Sequence, residues 1–247
     1  MKASDLLPVM NLVLLNFSLS MIIILFIQLF GFSTMQAEID FSPFYIQLSK
    51  NFWAGFNEEL TFRWILLGLP LFLINGSLFV ITKLVKKVKR NNDDGETKNL
   101  FLQIFFRDKV KNPLYYLTGR WKKLSIIDLL FLLFSSFTFG YVHYQFGWEA
   151  WKIFQAGVGG LIFGYAFCKY GFHVSIFLHV VNNFVIGLLA TPNIGLMING
   201  ATIIMLIYTI GLLYLIFVAT KLIAGALTYL NRALKRSPEI ITVDDME

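Results

Sequence analysis

The sequence predicts an all-α fold: a polytopic transmembrane helix bundle of about six spans, with the N- and C-termini cytoplasmic. Three observations carry this expectation. The 247 residues are 57% hydrophobic and only 15% charged, whereas soluble domains carry about a quarter charged residues. Apolar segments near the roughly 20 residues that a helix needs to cross a bilayer core recur along nearly the whole chain. Basic residues gather between them: 12 of the 21 Lys and Arg fall in residues 83–123. That is the pattern of cytoplasmic loops. It accounts for the net charge of +6 through a lipid bilayer and excludes nucleic acid as the partner.

The first span is expected at 11–32. The run 6–37 holds no charge. It is too long for a signal-peptide core and is expected to be retained. Residues 33–50 form a polar-aromatic connection with Glu38, Asp40 and Pro43. The next apolar stretch, 52–85, would measure about 50 Å as one straight helix. Pro70 favours a single bent helix, with a hairpin at Asn75-Gly76 as the competing arrangement.

Residues 83–123 are read as a basic cytoplasmic insertion, with a turn at 91–95 and an amphipathic piece at 100–106 lying on the bilayer surface. This loop could dock an acidic partner or anionic lipid. Four further spans are expected at 126–146, 151–168, 172–190 and 198–220. Gly160 and Gly164 form a small-xxx-small pair suited to close helix packing. Residues 1–223 are thus one membrane domain and 224–247 a cytoplasmic tail. Two spans precede the insertion and four follow it, so both termini fall on its side of the membrane. The single Cys168 excludes a disulfide framework and a cysteine metal site.

Ionisable groups within hydrocarbon are costly unless they are paired or face a cavity. Glu58, Glu59, Arg63, His143, His179 and Asn183 therefore need a reason to be there. Glu59 and Arg63 are i and i+4 on a helix and can pair. Glu58 points about 100° away and lacks that partner. Adjacent carboxylates oppose double ionisation, which suits one of them to general-base chemistry. His143 lies near the end of the third span. His179 and Asn183 share one face of the fifth; Asn182 is expected to point elsewhere, and His173 to be interfacial. Glu58 lies early in a helix running inward and His143 late in one running outward, which puts both in the outer half of the membrane.

The set Glu58-Glu59-x-x-x-Arg63, Phe139-x-x-x-His143 and His179-x-x-x-Asn183, on successive spans, resembles the CPBP family. Its members are the CAAX prenyl proteases and the bacteriocin-processing or immunity proteins, also called Abi proteins. The resemblance covers about 50–190. A Gly often follows the family's arginine where Trp64 stands here. The resemblance implies an intramembrane endopeptidase in which Glu58 and His143 activate a water. His179 and Asn183 would stabilise the oxyanion, with Glu59 and Arg63 as a supporting pair. It leaves the cofactor as none or Zn; zinc would take Glu58, His143 and His179. The implied substrate is a peptide or membrane-protein segment, such as a bacteriocin or signalling-peptide precursor. The implied location is a bacterial cytoplasmic membrane. The alternative is a non-catalytic immunity or regulatory protein that uses the same fold as a binding scaffold.

Overall fold

In the computed structural model, residues 3–32, 34, 41–89, 113–121 and 124–234 are described. All regular structure among them is helical. The expected turn at 91–95, the surface piece at 100–106 and the acidic end of the tail lie outside these residues.

Helix α1 (Ala3–Leu29) closes on a turn in which Gly31 adopts φ +82°. Helix α2 (Phe44–Glu59) opens on Pro43, whose carbonyl accepts from Ile46 and Gln47. Residues 44–50, expected in a connection, are therefore the first turns of the helix. The chain then winds as a π-helix through Leu60–Gly68 and continues as α3 (Leu69–Lys89). In the wide segment, the Leu69 N–H reaches back five residues to the Trp64 carbonyl. Pro70 has no N–H to give a normal turn, and the wide winding ends just before it. The hairpin at Asn75-Gly76 does not form. The helix runs straight through, and the Asn75 amide donates to the Leu71 carbonyl at 2.9 Å, which satisfies it within the helix.

A short helix, α4 (Tyr115–Thr118), precedes α5 (Ile126–Gln145). Ser125 and Asp128 form a reciprocal capping box that fixes the start of α5. Helix α6 (Trp151–Tyr170) ends at Gly171, φ +105°, which turns the chain directly into α7 (Phe172–Gly187). The Asn193 side chain accepts from the Leu196 N–H at 3.0 Å and caps α8 (Ile194–Leu234). That helix runs on past 220, where the span was expected to end.

Among the described residues, four helical runs are long and apolar enough to cross a membrane: Asp5–Leu29, Phe44–Ile81, Ile126–Gln145 and Ile194–Arg232; Phe172–Gly187 is apolar but shorter. The chain is a multi-pass membrane protein on this evidence. Helix α6 is the centre of the bundle, packed against α5, α1 and α7. Its glycines make this possible. A Cβ on Gly160 would meet Ser136 Cα at 3.2 Å, and one on Gly164 would strike Leu132. On α5, a side chain at Gly140 would strike the Ile153 carbonyl. The two backbones thus meet along a stripe with no room for side chains.

The described part of the insertion is not peripheral. Tyr116 and Trp121 are buried with Leu67, Leu71, Phe167 and Cys168. The Trp121 indole donates to the Tyr115 carbonyl at 2.7 Å, and the Arg120 and Trp121 amides donate to Phe167 and Cys168 at the end of α6. This segment seals one end of the bundle.

Candidate active site

The acidic pair sits where α2 gives way to the π-helical turns. Gly55 lets α2 approach α7 closely: a Cβ there would meet the Val180 side chain at 3.1 Å. One turn later, Glu58 and Glu59 project into different surroundings.

Glu59 has 0% of its side chain exposed and is held on every side. Its Oε1 lies 2.9 Å from His179 Nδ1, and its Oε2 lies 3.3 Å from Arg63 Nε and accepts from Ser175 Oγ. Arg63, equally buried, donates through Nη1 to Ser135 Oγ at 2.9 Å, and Ser135 donates to the Phe62 carbonyl at 2.5 Å. Two opposite charges buried together lose much hydration, which close pairing and added hydrogen bonds offset. The expected Glu59–Arg63 pair is present. Its second task was not foreseen: Glu59 orients His179.

Glu58 is 31% exposed and faces a cavity of about 990 Å³. Its Oε2 accepts no hydrogen bond among the described residues. Two imidazoles converge on that atom. His179 Nε2 is 3.5 Å away and His143 Nε2 is 3.9 Å away. In each ring the other nitrogen is already engaged. His143 Nδ1 donates to the Phe139 carbonyl at 2.8 Å, and His179 Nδ1 donates to Glu59. Those partners are acceptors only, so they assign the proton to Nδ1 and leave Nε2 to face Glu58.

Phe139 organises the cluster beyond its place in a motif. Its ring lies edge-on to His143 (4.6 Å between centroids), His179 (5.5 Å) and Phe62 (5.1 Å). The Arg63 guanidinium carbon lies 5.2 Å from its centroid. His179 stacks on Phe163 at 4.7 Å. Between two aromatic rings and a carboxylate, this imidazole has little freedom to turn.

Asn183 lines the same cavity as Glu58, His143 and His179, one helical turn beyond His179. The Asn182 amide donates to it at 3.4 Å. Asn182 does not point elsewhere, as expected from its register; it lines the cavity too and accepts from Asn16 Nδ2 at 2.9 Å. The cavity is wide enough that two adjacent positions on α7 reach it. His173 is exposed at the far end of α7.

Zinc would require Glu58, His143 and His179 as its protein ligands. Among the described residues no three His, Cys, Asp or Glu side chains are grouped to hold a metal ion. The chemistry below is derived from the side chains alone.

Sequence reasoning missed Ser135, Ser175 and Asn16. A signal for the first two exists. Ser135, Phe139 and His143 are spaced by four on α5, and Ser175, His179 and Asn183 by four on α7, so each polar stripe simply begins one turn earlier.

Residues 40–185 match the family model described as Type II CAAX prenyl endopeptidase Rce1-like, a span of more than half the chain. No curated protein and no solved structure matches the chain.

Proposed function

As the chain belongs to the Rce1-like family of type II CAAX prenyl endopeptidases, a protease family, we propose that its cavity hydrolyses a peptide bond by general-base attack of water. The observation that carries this reading is the convergence of His143 Nε2 and His179 Nε2 on Glu58 Oε2 inside the cavity.

The chemistry follows from donors and acceptors. Glu58 Oε2 and His143 Nε2 are both acceptors, 3.9 Å apart. A water seated against both would donate one O–H to each and turn a lone pair towards the substrate carbonyl. Glu58 takes the proton as the water attacks. The tetrahedral oxygen needs donors. The Asn183 amide can supply one, and His179 another when Nε2 carries a proton, since Glu59 already accepts from Nδ1. The proton on Glu58 then passes to the leaving amine. Arg63 balances the charge of Glu59 and touches no substrate.

The substrate in this reading is a peptide, such as a secreted-peptide precursor, or the tail of a membrane protein, in a bacterial cytoplasmic membrane. Residues 83–123 would dock an acidic partner or anionic lipid.

The test is cleavage of an internally quenched peptide pool by the purified full-length protein in lipid nanodiscs. We expect cleavage by the wild type, none by His143→Ala, and no change in the presence of a zinc chelator. Equal cleavage by His143→Ala would overturn the catalytic reading in favour of a binding scaffold. Loss in chelator with rescue by zinc would overturn the metal-free mechanism.

A further inference from the structure

One part of the cavity wall is built by residues that the chemistry above does not use. Asn16 comes from α1, outside residues 40–185. It is 3% exposed, and its Nδ2 donates to Asn182 Oδ1 at 2.9 Å. Its Oδ1 has no hydrogen-bond partner among the described residues. Exchanging oxygen and nitrogen in both amides would free Asn16 Nδ2 instead and give up the donation from Asn182 Nδ2 to Asn183 Oδ1, so the orientation with Asn16 Oδ1 free satisfies more of the cluster. The oxygen lies 3.3 Å from where a Cβ on Gly159 would stand, so the glycine leaves room for it.

Gln155 lies one turn before Gly159 on the same face of α6. It is 8% exposed, and its Oε1 is likewise unpartnered. Asn16, Gln155 and Gly159 all line the cavity that holds Glu58. Buried amide oxygens without donors are rare because the lost hydration is not recovered. Two of them on neighbouring helices, in the wall of one cavity, call for a ligand that brings N–H groups.

We propose that Asn16 and Gln155 form the backbone-binding part of the substrate site, their carbonyl oxygens accepting main-chain N–H groups of the peptide beside the cleaved bond. This rests on the peptidase reading above and deepens it. An intact helix has spent its N–H groups on its own carbonyls, except in its first turn. An extended strand offers them all along its length. The substrate class is therefore a peptide segment held extended, not a membrane helix entering whole. The first helix, beyond the family's matched region, thereby becomes part of the specificity apparatus.

The experiment reads binding separately from turnover. Full-length protein carrying Glu58→Gln is screened in nanodiscs against a pool of short fluorescent apolar peptides. The tightest binder is then N-methylated at one backbone position at a time. Asn16→Leu and Gln155→Leu should each weaken binding roughly tenfold. For each variant there should be one N-methyl position that weakens binding to the parent protein and costs nothing further in the variant. If Asn16→Leu does not fold, Gly159→Ala crowds the same oxygen and should give the same position-specific result. Binding by no peptide, unchanged binding in the variants, or losses spread evenly over all N-methyl positions would overturn the proposal. A peptide bound in this position-specific way but not cleaved by the wild type would overturn the peptidase reading and leave this one standing.

Discussion

Glu58 and Glu59 are neighbours in the chain and opposites in the fold. Glu59 is sealed among Arg63, His179 and Ser175 with 0% of its side chain exposed. Glu58 is 31% exposed on the cavity side, with Oε2 accepting no hydrogen bond among the described residues. The same side chain is thus used once as a fixed strut and once as a free acceptor. Rotation by one helical step, about 100°, makes the difference. The comparison separates holding a site together from acting in it.

The most direct way to break this contrast is Glu58→Gln, which keeps size and removes the base. Peptide cleavage should fall by roughly 10²–10⁴-fold, while thermal stability stays as in the wild type. A stability loss without a rate loss would make Glu58 a strut as well. Arg63→Ala should do the reverse. It leaves Glu59 charged and alone in the interior, at a cost of about 3–5 kcal/mol, read as a lowered unfolding temperature in detergent. Replacing both partners, Glu59→Leu with Arg63→Met, should restore much of that stability and no activity, because His179 then loses its orienting carboxylate.

Asn183→Ala sharpens the cavity side. Removing one oxyanion donor should lower kcat by roughly 10²-fold, with KM little changed. A rise in KM alone would make Asn183 a binding residue instead. The smallest effect is expected from Ser175→Ala, which removes one hydrogen bond from the buried carboxylate. Stability should drop by about 1–3 kcal/mol, with a modest change in rate transmitted through His179. A loss as deep as that of Arg63→Ala would show that Ser175, and not the guanidinium, is what Glu59 cannot do without.

Much of the architecture was legible because the bilayer simplifies the code. Apolar runs separated by short polar connections mark the helices expected at 126–146, 151–168 and 172–190. Polar side chains in such runs stand out, so Glu58, His143 and His179 could be singled out before their positions were known. Other features carry no such mark. Serine is tolerated anywhere in an apolar helix by bonding back to its own turn, as Ser136 does with Leu132. Only the four-residue register with Phe139 and His179 sets apart Ser135 and Ser175, which reach across to other helices. Asn16 and Gln155 depend on how α1 and α6 are rotated, a tertiary choice. The burial of Tyr116 and Trp121 was hidden by the basic residues beside them in the sequence, whose charge suggests an exposed loop.

The π-helical stretch Leu60–Gly68 has a consequence for how this helix tolerates change in length. Each α-helical residue advances the chain by about 100°, and π-turns hold one residue more than the α-turns they replace. Deleting a single residue inside 60–68 would let the segment tighten into ordinary α-helix without shifting Leu71 far along the axis. The half of the helix before the deletion would turn relative to the half after it. Glu58 would swing away from the two imidazoles while Leu67 and Leu71 kept their seats in the core. One codon in this stretch acts as a phase setting between the charged and the apolar halves of the molecule.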